Sequence, residues 1–243
     1  MSLPFLTIVT PSYNLGRYID RAIKSVLTQR YTNIEYLVID GGSKDNTIEV
    51  LQKYSKNPKY RQHFRWVSEK DDGQTNAINK GLRRAKGKWF AWLNSDDYYE
   101  PGAFEELVKA ATDNPSAGII YGNCRSHGNI ISENIPPSNI TFKDFFNGNI
   151  IYGPSAFFNK DALLDLGEFD EDLDLWMDFD MFMRISKKYN LVYTNKLLAH
   201  FTQRIGQKSQ LNNPRLKLES SYVINKNRYP LFKKFFKWIY THK

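Results

Sequence analysis

Asp96 and Asp97 end the run Lys88-Trp89-Phe90-Ala91-Trp92-Leu93-Asn94-Ser95, where an apolar, aromatic stretch stops on two adjacent carboxylates. Like charges side by side repel, so the pair is stable when something positive sits on it. A hard divalent cation with oxygen ligands, Mg2+ or Mn2+, suits that position. The pair equally suits a turn that caps a helix beginning at Pro101, proline being favoured at a first helical position. Both readings stand on the local sequence. Other acids fall in comparable places: Asp40 closes residues 34–39, Asp71 and Asp72 follow residues 64–68, and Asp178 and Asp180 open an apolar segment behind Trp176. A carboxylate so placed can hold a cation, accept the N–H groups of a base, or take a proton from a hydroxyl. His200, within Leu198-Ala199-His200-Phe201, is a further candidate metal ligand, although a histidine in an apolar strand is more often a satisfied core residue.

The elements around these acids alternate. Residues 5–10 read as a strand ended by Pro11, which lacks a ladder donor. Ile19, Ala22, Ile23, Val26 and Leu27 then recur at helical spacing. Residues 34–40 form a second strand, turned by Gly41-Gly42-Ser43 into a helix from about Asp45 to Tyr54. Residues 64–68 form a third, followed by a helix with Ala77, Ile78, Leu82 and Ala85 inward. The aspartate strand is fourth, followed by a helix burying Phe104, Leu107, Val108 and Ala111. Strand–helix alternation specifies a mostly parallel sheet with right-handed crossovers. Its carboxyl rim gathers Pro11, Ser12, Tyr13, Asn14, Asp40, Asp71 and Asp96-Asp97, the place where open α/β sheets bind nucleotides. The G-x-G-x-x-G and Walker patterns are missing, so phosphates there need a metal held by carboxylates. Asp40 suits the N–H groups of a base or the capping of its own turn. Tyr13 suits stacking on a base or core packing.

The chain has 243 residues, one cysteine and a net charge of +8. That length is one large domain or one domain with an appendage. A lone cysteine excludes an internal disulfide and a Cys-rich zinc site, and fits a reducing, cytoplasmic compartment. No secretion signal opens the chain and no run of 18 apolar residues spans a bilayer. Residues 203–243 carry ten basic residues and one acid, whereas residues 1–202 carry 24 basic and 25 acidic ones. Nucleic-acid binding would put the charge on the folded body, so no nucleic-acid partner is expected. In the tail, Leu231, Phe232, Phe235, Phe236, Ile239 and Tyr240 fall on one helical face, with Lys233, Lys234 and Lys237 away from it. A basic amphipathic helix with aromatics suits an anionic membrane surface at the inner leaflet; it also suits packing on the domain or on a second subunit.

The blocks TIVTPSYN, YLVIDGGSKDNT, SEKDDGQTNAINKG and FAWLNSDDYYEPGA, in that order, closely resemble the donor half of the family 2 glycosyltransferases. The likeness runs from about Leu6 to Ala111 and more loosely to about Ser209. It implies the glycosyltransferase A fold and inverting, metal-dependent transfer from a nucleoside-diphosphate sugar to a saccharide or lipid-linked saccharide hydroxyl. It places Asp40, Asp71 and, from the loop that also includes Ser12 and Asn14, Pro11 and Tyr13 around the base. Asp96 then lies near ribose and metal, and Asp97 on the metal. Asn76 stands where many relatives have Asp, ahead of the A-x-N-x-G block that contains Asn79. Residues 166–171 resemble L-G-G-F-D-E, with Glu168 for a glycine. Trp176-Met177-Asp178 resembles the opening of E-D-x-D-L-W-x-R, with Met177 for Glu. Asp178 matches the general base, Trp176 lies on the acceptor side, and Asp180 reads as a support or a partner for Arg184. Arg204 and Lys208 follow as candidate diphosphate contacts. The implied domain is residues 1–213, with a donor half to 113, an acceptor half from 114, and a basic aromatic extension over 214–243. A sugar-phosphate nucleotidyltransferase would share the acids, metal and sheet, but its Gly-rich, Arg-containing signature is missing. A non-catalytic sugar-nucleotide binder is the third reading. The oligomeric state is not specified.

Overall fold

The computed structural model describes residues 5–208 and 215–241. Four parallel strands build its first half: β1 (Leu6–Ser12), β2 (Ile34–Asp40), β3 (Phe64–Ser68) and β4 (Trp89–Trp92), in the spatial order β3-β2-β1-β4. Helices α1 (Gly16–Leu27), α2 (Thr47–Lys56) and α3 (Gln74–Arg84) connect them. Successive strand residues point to opposite faces. Ile8, Tyr36 and Val38 therefore pack with Ile19, Ile23 and Leu51 on one side. Val9, Leu37 and Ile39 pack with Ile78 and Leu82 on the other.

The sheet then departs from the parallel expectation. The two-residue β5 (Tyr98–Tyr99) and α4 (Ala103–Asp113) lead into β6 (Ile119–His127), β7 (Ile131–Asn134), β8 (Ala156–Asn159) and β9 (Leu191–Thr202). Strand β8 lies antiparallel between β4 and β6, β9 runs parallel to β6, β5 pairs antiparallel with β9, and β7 closes a hairpin on β6. All-parallel pairing thus holds for the first half only, and the second half is mixed. The hairpin also occupies a stretch that lacks any clear sequence period.

Local punctuation differs from the sequence reading where a side chain takes over a backbone duty. Pro11 lies inside β1, because the β4 ladder has already ended at Val9 and Trp92 and the missing N–H forfeits no bond. Asp45 stays outside α2 and accepts from Thr47 N at 3.0 Å and from Gly16 N at 2.9 Å. Helix α4 begins two residues after Pro101, since Gly102 at φ 89° turns the chain first.

Helices α5 (Lys160–Leu166) and α6 (Met177–Ser186) cover the second face of the sheet. Two more, α7 (Arg215–Arg228) and α8 (Lys233–Thr241), form a hairpin on top. The extension is not an appendage. Helix α7 buries Tyr222 and Val223 in the core and carries buried Glu219, Lys226 and Asn227. The boundary drawn at residue 213 lies outside the described residues. Residues 230–232 form a 3-10 turn, which shifts the phase of the tail: Phe236 and Tyr240 face the core while Leu231, Phe232 and Phe235 face outward.

Candidate active site

The loops after β1, β3 and β4 meet α6 and the segment after β9 around a cleft of about 1330 Å³, lined by Ser12, Tyr13, Asp71, Asp96, Asp178 and Arg204 among others. It exceeds the roughly 300–1,000 Å³ typical of a single small-ligand pocket, leaving room for two reactants. A smaller hollow of about 610 Å³ over the β2–β3 edge contains none of the candidate acids. Pro11 lines the floor and its carbonyl accepts from Ser95 Oγ at 2.9 Å. Tyr13 is 60% exposed, so it is available to a ligand and is not a core residue. Gly41 makes room for Asp71: a Cβ there would lie 2.7 Å from Asp71 Oδ2.

The adjacent acids divide their duties. Asp97 is fully buried, its Oδ1 accepting from Thr202 N at 2.8 Å and its Oδ2 from Asn94 Nδ2 at 2.9 Å. Gln74 Nε2 in turn holds Asn94 Oδ1 at 2.8 Å. Burial, reinforced by the charge of Asp96, pushes the Asp97 carboxyl well above the ordinary carboxylate range. Asp96 lines the cleft, and its Oδ2 accepts from Arg204 Nε at 2.6 Å. The Arg204 guanidinium lies 5.6 Å from the Tyr18 ring centroid. Mg2+ and Mn2+ are commonly held by one or two carboxylates, with substrate phosphates completing the shell. Asp96 fits that minimal set once Arg204 moves aside, and Asp97 fits it less well because both its oxygens are engaged. Among the described residues no three His, Cys, Asp or Glu side chains converge into a preformed cage. His200 does not join them. Its Nε2 meets Glu100 Oε2 at 2.5 Å, its Nδ1 meets His127 Nε2 at 2.8 Å, and its ring stacks on Tyr98.

Asp178 sits in the first turn of α6, lines the same cleft and accepts from Phe179 N at 2.7 Å. Its Oδ2 packs over Gly153, where a Cβ would lie 3.2 Å away and only 2.8 Å from the Trp92 ring. Burial pushes the carboxyl up to about 7. The chain entering α6 hangs on Glu219 of α7, whose carboxylate accepts from Asp174 N, Leu175 N at 2.8 Å and Trp176 N at 3.2 Å. Trp176 and Ser12 both line the cleft, and the buried Trp176 indole Nε1 and Ser12 Oγ are without a hydrogen-bond partner. Orphaned polar atoms of this kind are uncommon in protein interiors, and both belong to residues that line this cleft.

Several predicted contacts face elsewhere. Asp40 is fully buried and organises its own turn, accepting from Gly42 N, Ser43 N and Ser68 Oγ on Oδ2 and from Ser43 Oγ on Oδ1. Asn14, at φ 51°, clasps that same turn through Ser43 Oγ and Lys44 N. Asn79 is spent on Phe169 and Glu171, and Asn76 on Glu171, so both tie α3 to the segment after α5. Asp180 is not part of the cleft lining and instead pairs with Arg184 at 2.9 Å and Lys226 at 2.8 Å. Sequence reasoning overlooked Glu219, Gly153 and Arg21, whose Nη2 donates to the Asp96 carbonyl at 2.9 Å. Glu219 had one signal, as the single acid in a basic tail.

A model of the family described as Glycosyl transferase family 2 matches residues 7–167. A chondroitin synthase of Escherichia coli is 29% identical over 201 residues, covering 80% of this chain and 28% of that protein. The chain spans less than a third of the length of the first such curated relatives. S. aureus TarS in complex with UDP-GlcNAc shares the fold with a TM-score of 0.75 at 18% identity, over 92% of this chain and 66% of that one. A mannosyltransferase from Pyrobaculum calidifontis in complex with GDP-Man and Mn2+ gives a TM-score of 0.69 at 19% identity, over 98% and 69%. The mixed sheet with flanking helices is therefore the glycosyltransferase A fold. Because the family match over residues 7–167 spans well over half of the chain, including β1 to β4 and the loops bearing Tyr13, Asp71, Asp96 and Asp97, the chain belongs to glycosyl transferase family 2.

Proposed function

We propose that this chain transfers a sugar, with inversion, from a nucleoside-diphosphate donor to a hydroxyl of a saccharide or lipid-linked saccharide. The observation that carries the reading is the Asp178 carboxyl, pushed up to about 7 by burial and placed on the same cleft as Asp96 and Arg204. A base poised near the working pH is the most effective kind. The nucleoside lies against Tyr13, Ser12 and Asp71, and the diphosphate lies toward Asp96 and Arg204. A divalent cation held by Asp96 together with the diphosphate would neutralise charge on the leaving group. Arg204 supplies fixed positive charge to the same place. The acceptor approaches past Trp176, whose side chain lines the cleft beside Asp178. As the acceptor oxygen bonds to the anomeric carbon, its proton passes to Asp178, the bond from that carbon to the diphosphate oxygen breaks, and nucleoside diphosphate departs.

UDP-GlcNAc and GDP-Man, the ligands of two proteins with this fold, are the first donors to test. Release of nucleoside diphosphate that depends on an added saccharide acceptor, and that is lost in Asp178→Asn, is the expected result. Release of pyrophosphate would instead identify a nucleotidyltransferase. Donor binding with no turnover over a broad acceptor panel would identify a binding protein.

A further inference from the structure

The helical hairpin at the C-terminal end turns an aromatic ridge outward. Leu231 is 95% exposed, Phe232 59%, Phe235 56% and Trp238 59%. Phe235 and Trp238 are three residues apart on α8, and so share a side of the helix. The opposite side is locked down. Tyr240 stacks on Tyr222 with ring centroids 5.0 Å apart, and its hydroxyl donates to Glu219 Oε1 at 3.1 Å and to the Asp172 carbonyl at 3.0 Å. Lys237 Nζ pairs with Asp172 at 2.5 Å, and Phe236 packs against the core. The ridge therefore cannot roll inward without breaking these contacts.

Its surroundings are basic. Residues 225–241 hold five basic side chains and no acid. Lys226 and Lys237 are committed to Asp170, Asp180 and Asp172, whereas Lys233 and Lys234 stand exposed next to the ridge in sequence and Arg228, also exposed, lies over the Phe146 ring at 4.7 Å. Among the described residues no helix is long and apolar enough to cross a membrane.

We infer that this ridge docks the protein on an anionic lipid surface, with Leu231, Phe232, Phe235 and Trp238 entering the headgroup boundary and Lys233, Lys234 and Arg228 meeting lipid phosphates. Large apolar tips interleaved with cations on a short helix lying in the plane are the pattern of interfacial helices. The centre of a protein–protein interface is depleted in lysine, and a stable one takes about 20–30 residues a side, far more than this ridge presents. Helix α7 of the same hairpin also contributes Leu216, Lys217 and Ser220 to the cleft lining, which brings the cleft close to the docked surface. The inference stands independently of the sugar-transfer reading, since binding is measured without turnover.

The test is co-sedimentation of the full chain with vesicles of phosphatidylcholine alone or mixed with phosphatidylglycerol, with light scattering on the free protein. Binding to the mixed vesicles, weak binding to the neutral ones, and weakening by added salt are expected. Lys233→Gln with Lys234→Gln should cost about 30-fold in apparent affinity, at about fivefold per cation. Phe235→Ser with Trp238→Ser should cost at least tenfold at an unchanged melting temperature, both side chains being more than half exposed. Equal binding by wild type and both variants, or no binding to anionic vesicles, would overturn the inference. So would a dimer in light scattering that the serine substitutions dissolve, which would make a second copy the occupant.

Discussion

At Asp178 the carboxyl packs over Gly153, and burial pushes its pKa up to about 7. The ionised form is the useful one, so kcat/KM is expected to rise with pH through about 7. The consequence for stability has the opposite sign. A carboxyl whose folded pKa lies above its unfolded value of 3.8 costs nothing below that pH and its full penalty above about 7. Asp178→Asn should therefore raise the melting temperature more at pH 8 than at pH 5, while lowering turnover by about 10²–10⁴-fold. A stability gain that is the same at both pH values would show that Asp178 is not desolvated. Arg204 makes a second prediction at this scale. Its ion pair with Asp96 competes with any cation for the same carboxylate, so Arg204→Ala should tighten Mn2+ binding to the donor-free protein in calorimetry and weaken donor binding. Unchanged Mn2+ affinity would place the cation elsewhere.

Among the elements, α7 decides where the turn bearing Asp178 sits. Glu219 is fully buried and accepts from the N–H groups of Asp174, Leu175 and Trp176 and from the Tyr240 hydroxyl. Each buried donor left without a partner costs about 1–3 kcal/mol. Glu219→Ala should thus cost at least about 3 kcal/mol and lower the melting temperature by roughly 10 °C in a chain of this size. Glu219→Gln keeps an acceptor oxygen and should cost less. In the Gln variant kcat should fall more than donor KM changes, because the loop it holds carries Trp176 and leads into Asp178 while the donor loops lie elsewhere. Equal stability of the two variants would mean that the loop holds itself.

Across the whole molecule, a parallel half supplies the loops bearing Tyr13, Asp71 and Asp96, and the mixed half with its helical hairpin supplies Trp176, Asp178 and Arg204. Neither half closes the cleft alone. Ending the chain at residue 208 removes Lys226 from buried Asp180 and Glu219 from the α6 entry. A buried charge stripped of its partner typically costs about 3–5 kcal/mol. The truncated chain is expected to lose cooperative thermal unfolding by circular dichroism, whereas a dispensable extension would leave the transition intact.

The alternation of strand and helix, the faces of α1 and α3, and the acids on the carboxyl rim were legible because periodicity and punctuation are local properties of the chain. The resemblance of residues 176–178 to a family block also marked Asp178 as a candidate base. Tertiary structure decided which acids face solvent and which are consumed. Asp96 meets Arg204 across 108 residues and Asp97 meets Thr202 across 105, while Asp40 and Asn79 spend their polar atoms on the scaffold. A sequence lists donors and acceptors without saying which of them satisfy one another. Only the packed chain brings distant groups within hydrogen-bond reach, and a buried polar group must then take whichever partner lies there.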